Sequence, residues 1–355
     1  MDEKNERSIW DEVDALKEKE ENVTSEATFT VINSSQNGQN EETKQNKETR
    51  SSSGEYKMYF EKDDNAEKKG LISIIAIAAC LVLFVASTVG IVFTIVNRNK
   101  DIKNSQSEMD RLRNLKELAE TEDSLSGGAE SIWDELLDGK KSQNSKDISG
   151  VMDKYKDIYN ENNDFIGWLT IDETVIDYPV MQTPDDEEYY LHRGFDKQYS
   201  ENGCLIMDTD SNVGVGTKDS GYNGGKDKPS TNLIIHGHTM KNGDMFGDLD
   251  LYEKKDYADA HKIIKFDSLY ESREYEVIAV FYSQVYYTTD ECFKYYKFFE
   301  ATNEEEFDDW YTNIKDLALF DTGVEAEFGD EFITLSCCAY HVEDGRFVVV
   351  GKRIK

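Results

Sequence analysis

The 355-residue sequence predicts a mainly β domain. We expect a closed β-barrel of about eight strands with a few added helices, preceded by one transmembrane helix and a disordered polar tail. Three observations point there. Residues 71–96 hold no charged side chain and are dominated by Ile, Val, Ala, Leu and Phe. From residue 146 onward, short apolar runs recur between turn-forming residues. Only one late stretch carries a long helical stripe, so strands and helices do not alternate as they would in a parallel α/β sheet.

Taken in order, residues 1–69 are polar and charged, and the tract 34–54 is rich in Ser, Asn, Gln, Glu and Lys. Such a segment cannot bury enough apolar surface to offset chain entropy, so it is expected to be disordered, with a short helix over residues 9–19. Residues 70–96 are the expected transmembrane helix. At about 1.5 Å per residue, the uncharged run spans roughly 39 Å, enough for a ~30 Å hydrocarbon core with tilt. It starts too late and runs too long for a cleaved signal peptide. Lys68 and Lys69 precede it while Arg98, Lys100 and Lys103 follow, so flanking charge does not set its orientation.

Residues 97–145 read as a helical or flexible stalk. Met109, Leu112, Leu115 and Leu118 recur at helical spacing, as an amphipathic helix requires, and Gly127-Gly128 interrupts it. The pentad Ser-Ile-Trp-Asp-Glu occurs at Ser8–Glu12 and again at Ser131–Glu135. Both copies fit the capping-box pattern of a helix start.

Residues 146–355 are the globular domain. Val151, Tyr155 and Ile158 mark a lead-in helix. Strands are expected at 165–171, 175–181, 204–208, 233–236, 263–266, 275–287, 332–336 and 347–352. The late helix is expected to be capped by Thr302 with Glu305, with Phe307, Trp310, Ile314 and Leu317 on its apolar face.

A formal net charge of −33 repels phosphate backbones and anionic headgroups, which excludes a nucleic-acid role. The plain reading of this acidity is solubility. The five cysteines, Cys80, Cys204, Cys292, Cys337 and Cys338, show no zinc-site spacing and do not form a disulfide framework. Cys204 reads as a small buried apolar residue.

The chemistry concentrates late in the chain. Cys338 closes the apolar run 332–338, and Arg346 opens the next, at Phe347 to Val350. Upstream, the strand-like 232–235 leads into His236-Gly237-His238. A thiol, an imidazole and a guanidinium at strand ends are the parts of a cysteine acyl-transfer site. Cys338 is the expected nucleophile, with Cys337 as its competitor; neighbouring strand residues face opposite ways, so only one enters a given cleft. His238 is the expected general acid and base, since an imidazole can protonate a leaving amine and later accept a proton. Arg346 offers a fixed charge and a planar fork to an oxyanion or peptide carbonyl. Ser336, on the face of Cys338, is a weaker candidate for substrate contact. His192, His236, His261 and His341 read as structural.

These residues also carry a family resemblance. Thr334-Leu335-Ser336-Cys337-Cys338 resembles the sortase signature Thr-Leu-x-Thr-Cys, and Arg346 falls where that family has its arginine. The stretch Ile234 to Met240 with Asp244 to Leu249 is similar to the histidine region of class B sortases. So are Gly167 to Ile171 and Ile176 to Val180. The resemblance covers residues 146–355 and selects Cys338 over Cys337. Cys337 departs from the pattern, standing where the family usually has Thr. The resemblance implies the eight-stranded sortase barrel with an extra late helix. It implies a cytoplasmic N-terminus and an extracytoplasmic catalytic domain on the cell membrane. The implied activity is transpeptidation of secreted proteins that bear a C-terminal sorting signal. The acceptor would be an amine of a peptidoglycan precursor or cross-bridge, and neither metal nor organic cofactor is called for. The alternative is an extracytoplasmic cysteine peptidase that releases the acyl-enzyme to water. A non-enzymatic receptor on the same barrel would not need the thiol. A pilus-polymerising variant would usually carry a further C-terminal apolar segment.

Overall fold

The computed structural model describes residues 64–125, 150–225 and 227–355. The expected helix at 9–19, both Ser-Ile-Trp-Asp-Glu copies and Gly127-Gly128 lie outside the described residues. In order, the elements are α1 (Asp64–Leu125), α2 (Asp153–Glu161), β1 (Phe165–Thr170), β2 (Asp177–Met181), β3 (Leu205–Met207), the one-turn α3 (Tyr222–Gly225), β4 (Asn232–Gly237), α4 (Lys255–Ala260), β5 (Ile263–Ser268), β6 (Ser272–Gln284), α5 (Glu304–Leu317), β7 (Phe332–Cys338) and β8 (Gly345–Arg353). Short 3₁₀ helices occupy Leu249–Glu253 and Tyr295–Lys297.

The eight strands close into one barrel in the order β1-β2-β3-β4-β7-β8-β6-β5. The pairs β2–β3 and β4–β7 are parallel, and the other six are antiparallel. Closure leaves no free sheet edge. Strand alternation builds two apolar layers. Ile333, Leu335 and Cys337 of β7, with Phe347 and Val349 of β8, join the cluster that fills the barrel. Phe332 of β7, with Val348 and Val350 of β8, joins a second cluster under α5 on the outer face.

Helix α5 starts one residue later than its spacing suggested. Asn303, not Thr302, is the cap: its side chain accepts the Glu306 backbone N–H at 3.0 Å. The Glu306 carboxylate in turn accepts from Thr302 N and Oγ1 at 2.9 and 2.7 Å. Both residues are good cappers, and the extended backbone of Asn303 (φ −152°) decides between them. The apolar stripe packs Phe307, Trp310 and Ile314 but stops before Leu317, which is 42% exposed.

Two compact units divide the chain, one of them containing Arg98–Lys355. Among the described residues one helix, α1, is long and apolar enough to cross a membrane. The expected stalk begins within this same helix. From Arg98 on, α1 lies against the barrel rather than free of it. Met109 and Leu112 are buried, and Lys116 and Arg113 reach Asp177 of β2 at 2.8 and 3.3 Å. Lys116 also sits 4.4 Å from the ring centre of Trp168, whose Nε1–H donates to Asp177 at 2.6 Å.

Candidate active site

Strand register brings the three expected residues to one end of the barrel. Cys338, the last residue of β7, pairs directly with Arg346 of the antiparallel β8. Residues so paired project from the same face, with Cβ atoms roughly 4.5–5.5 Å apart. On the other side of β7, the parallel β4 ends with Gly237 paired to Cys337, so His238 leaves the strand beside Cys338. Thr239 ties the two strand ends together through a 2.6 Å hydrogen bond from its hydroxyl to the Cys338 carbonyl.

Glycine is required at position 237, where β4 ends. A Cβ there would lie 2.5 Å from Phe246 and 2.6 Å from Leu205, so only glycine lets the backbone pass. Because β4 stops here, the two flanking histidines have separate surroundings. His236 Nε2 contacts the Asp208 carboxylate at 3.2 Å and is held in the wall. His238 Nε2 lies 2.8 Å from the Leu191 carbonyl oxygen. A carbonyl only accepts, so in the neutral ring Nε2 carries the proton and Nδ1 the lone pair. Burial pulls the His238 pKa below its ordinary value, the Leu191 hydrogen bond opposes this, and the nearby His192 adds to the lowering.

The adjacent thiols face different media. Cys337 is 2% exposed in the barrel core, and burial pushes it up to about 12, so it stays protonated at neutral pH. Cys338 is half-buried at the rim. Arg346 is also half-buried, and its Nη1 donates to the carbonyls of Asp344 and Gly345 at 3.3 and 3.1 Å. These contacts hold the guanidinium at the β7–β8 connection.

Ser336 does not suit the contact expected of it. It is 1% exposed, and its hydroxyl is bonded to Tyr295 Oη at 2.7 Å, beneath the outer apolar layer. His192, read as structural, instead stacks on His238 with ring centres 5.5 Å apart and planes at 20°. Tyr199 stacks on His192 in turn, at 6.5 Å. Sequence reasoning missed Leu191 as well, because a backbone carbonyl leaves no signature in side-chain chemistry. Thr239 was legible only as part of the histidine stretch.

The chain matches no model of a known protein family. It is 33% identical over 227 residues to sortase B of Listeria monocytogenes, covering 62% of this chain and 84% of that protein. The chain belongs to the class B sortase family. Sortase B of Staphylococcus aureus is 27% identical over 216 residues, covering 59% of this chain and 79% of the relative. A crystal structure of sortase B from B. anthracis superposes with a TM-score of 0.53 at 25% identity, covering 72% of this chain and 99% of that one. A Staphylococcus aureus sortase B–substrate complex shares the fold at a TM-score of 0.55 and 22% identity, covering 72% and 99%. As a sortase, the protein is a cysteine transpeptidase. The eight-stranded barrel expected from the resemblance is the one observed.

Proposed function

We propose that this sortase is a single-pass membrane enzyme that cleaves a C-terminal sorting motif of secreted proteins and joins them to a cell-wall amine. The observation that carries this reading is the register that sets Cys338 opposite Arg346 with His238 emerging alongside. The Cys338 sulfur attacks a backbone carbonyl of the motif, forming a C–S bond as its thiol proton passes to His238 Nδ1, which carries the ring's lone pair. Arg346 stabilises the tetrahedral oxyanion. His238 Nδ1 then gives that proton to the departing amine as the C–N bond breaks, which leaves a thioester and a neutral imidazole. An incoming amine then attacks the thioester, His238 Nδ1 takes up its proton, and the C–S bond breaks as that proton returns to the leaving Cys338 sulfur. The residues require no metal or cofactor for these steps.

The apolar part of α1 supports the anchoring role. In this reading residues 1–69 lie in the cytoplasm, 70–96 cross the bilayer, and the domain from 146 is extracytoplasmic. The test uses the full-length protein in detergent with sorting-signal peptides and an added amine. Amine-linked product that grows with amine concentration is expected. Hydrolysed peptide alone, at high amine, would instead identify a peptidase.

A further inference from the structure

We propose that helix α1 positions the His238 imidazole, acting through Asp101 and Gln106. The inference rests on His238 as the acid–base group. Two loops hold that ring, and α1 grips both.

The first loop joins β2 to β3. It supplies the Leu191 carbonyl that accepts from His238 Nε2, and the His192 ring that stacks on it. Residues 190–192 are bound to 200–204 by two backbone hydrogen bonds, Ser200 N to His192 O at 3.1 Å and Cys204 N to Tyr190 O at 3.0 Å. Gly203 fits this turn because its φ is +56° and a Cβ would lie 2.3 Å from the Leu191 oxygen. The two segments therefore move together. Between them, the Glu201 N–H donates to the Asp101 carboxylate of α1 at 2.7 Å. The outer Arg98–Glu201 pair, at 3.0 Å, is more than a third exposed on both sides and adds little.

The second loop follows β4 and begins with His238. Its turn is closed by the Phe246 N–H donating to the His238 carbonyl at 3.0 Å. Within it, the Asp244 carboxylate accepts from Gln106 Nε2 of α1 at 3.0 Å, from Asn242 Nδ2 at 2.8 Å and from Asn202 Nδ2 at 3.1 Å. Asn202, 2% exposed, belongs to the first loop, so Asp244 joins both loops to α1. A cleft of about 390 Å³ lies along this seam, lined by Gln106, Asn202 and Asp244 among others. The Glu201–Asp101 and Asn202–Asp244 bonds are partly buried and the Gln106–Asp244 bond is exposed, and charge-assisted bonds of this kind are directional.

The Asp101→Ala/Gln106→Ala double variant of the full-length protein in detergent tests this. A misplaced acid–base group lowers turnover more than binding, so kcat should fall about tenfold with KM within about twofold. The nitrogen resonances of His238 should change from one tautomer to a mixture. Asp101→Asn keeps an acceptor oxygen and should retain wild-type kcat. Unchanged kcat in the double variant would overturn the proposal. So would a loss of kcat that merely follows the loss of folded protein while the His238 resonances stay put. His238→Gln is the separate control: if it turns over like wild type, the acid–base reading fails, whatever the helix variants do.

Discussion

At the scale of single residues, the two adjacent thiols differ in medium rather than in chemistry. Cys337 occupies the interior face of β7, where burial keeps it a thiol, while Cys338 reaches the rim beside His238 and Arg346. The departure from Thr at position 337 therefore puts a small, soft side chain into the core. The sequence pointed to Cys338, His238 and Arg346 through their residue types at strand ends, and the family resemblance chose Cys338 over Cys337. It could not show the Leu191 carbonyl or the His192 stack, which depend on a loop folding back. The His238 environment makes a signed prediction. Its folded pKa lies below the ordinary 6.5, so on acidification below 6.5 the unfolded chain takes up this proton first. Stability contributed at this site is thus present above 6.5 and lost as pH falls toward the lower folded value. His238→Gln removes the term, so its unfolding free energy in urea should decline less than that of wild type over this window. Parallel pH curves for the two proteins would contradict the assigned direction.

At the scale of elements, alternation in β7 and β8 was readable, and it gives both apolar layers. The capping pattern of α5 was readable to within one residue, because Thr302 and Asn303 are both competent caps and only backbone angle separates them. What covers the outer layer was not readable. Trp310 stacks on Phe298 with ring centres 4.3 Å apart and meets Phe332 of β7 edge-on at 4.8 Å. Trp310→Ala should therefore cost about 3–5 kcal/mol in chemical denaturation, through lost transfer energy and the cavity left behind. A cost below about 1 kcal/mol would mean that α5 is not held by this contact.

At the scale of the whole molecule, the strands and their closing into a barrel were legible, and the order and direction of their pairing were not. The parallel pair β4–β7 sets Asn232 beside Phe332, far along the chain, and β2–β3 pairs consecutive strands across a long connection; no local pattern announces either. The same holds for the α1 docking, where Lys116 and Asp177 find each other only in the fold. An ionic cluster sits at the end of β8. Arg353 reaches Glu331 at 2.6 Å, Glu271 at 3.0 Å and Tyr222 Oη at 2.9 Å, with 4% of its side chain exposed. Arg353→Ala would leave the buried Glu331 carboxylate without this partner and should cost about 3–5 kcal/mol, measured by denaturant unfolding. Acyl transfer turns on the thiol that register places opposite Arg346. The most direct measurement is the intact mass of the full-length enzyme, with peptide mapping, after incubation with sorting-signal peptides. A thioester on Cys338, lost in Cys338→Ala and kept in Cys337→Ala, is the predicted result. An acyl adduct that persists in Cys338→Ala would contradict it.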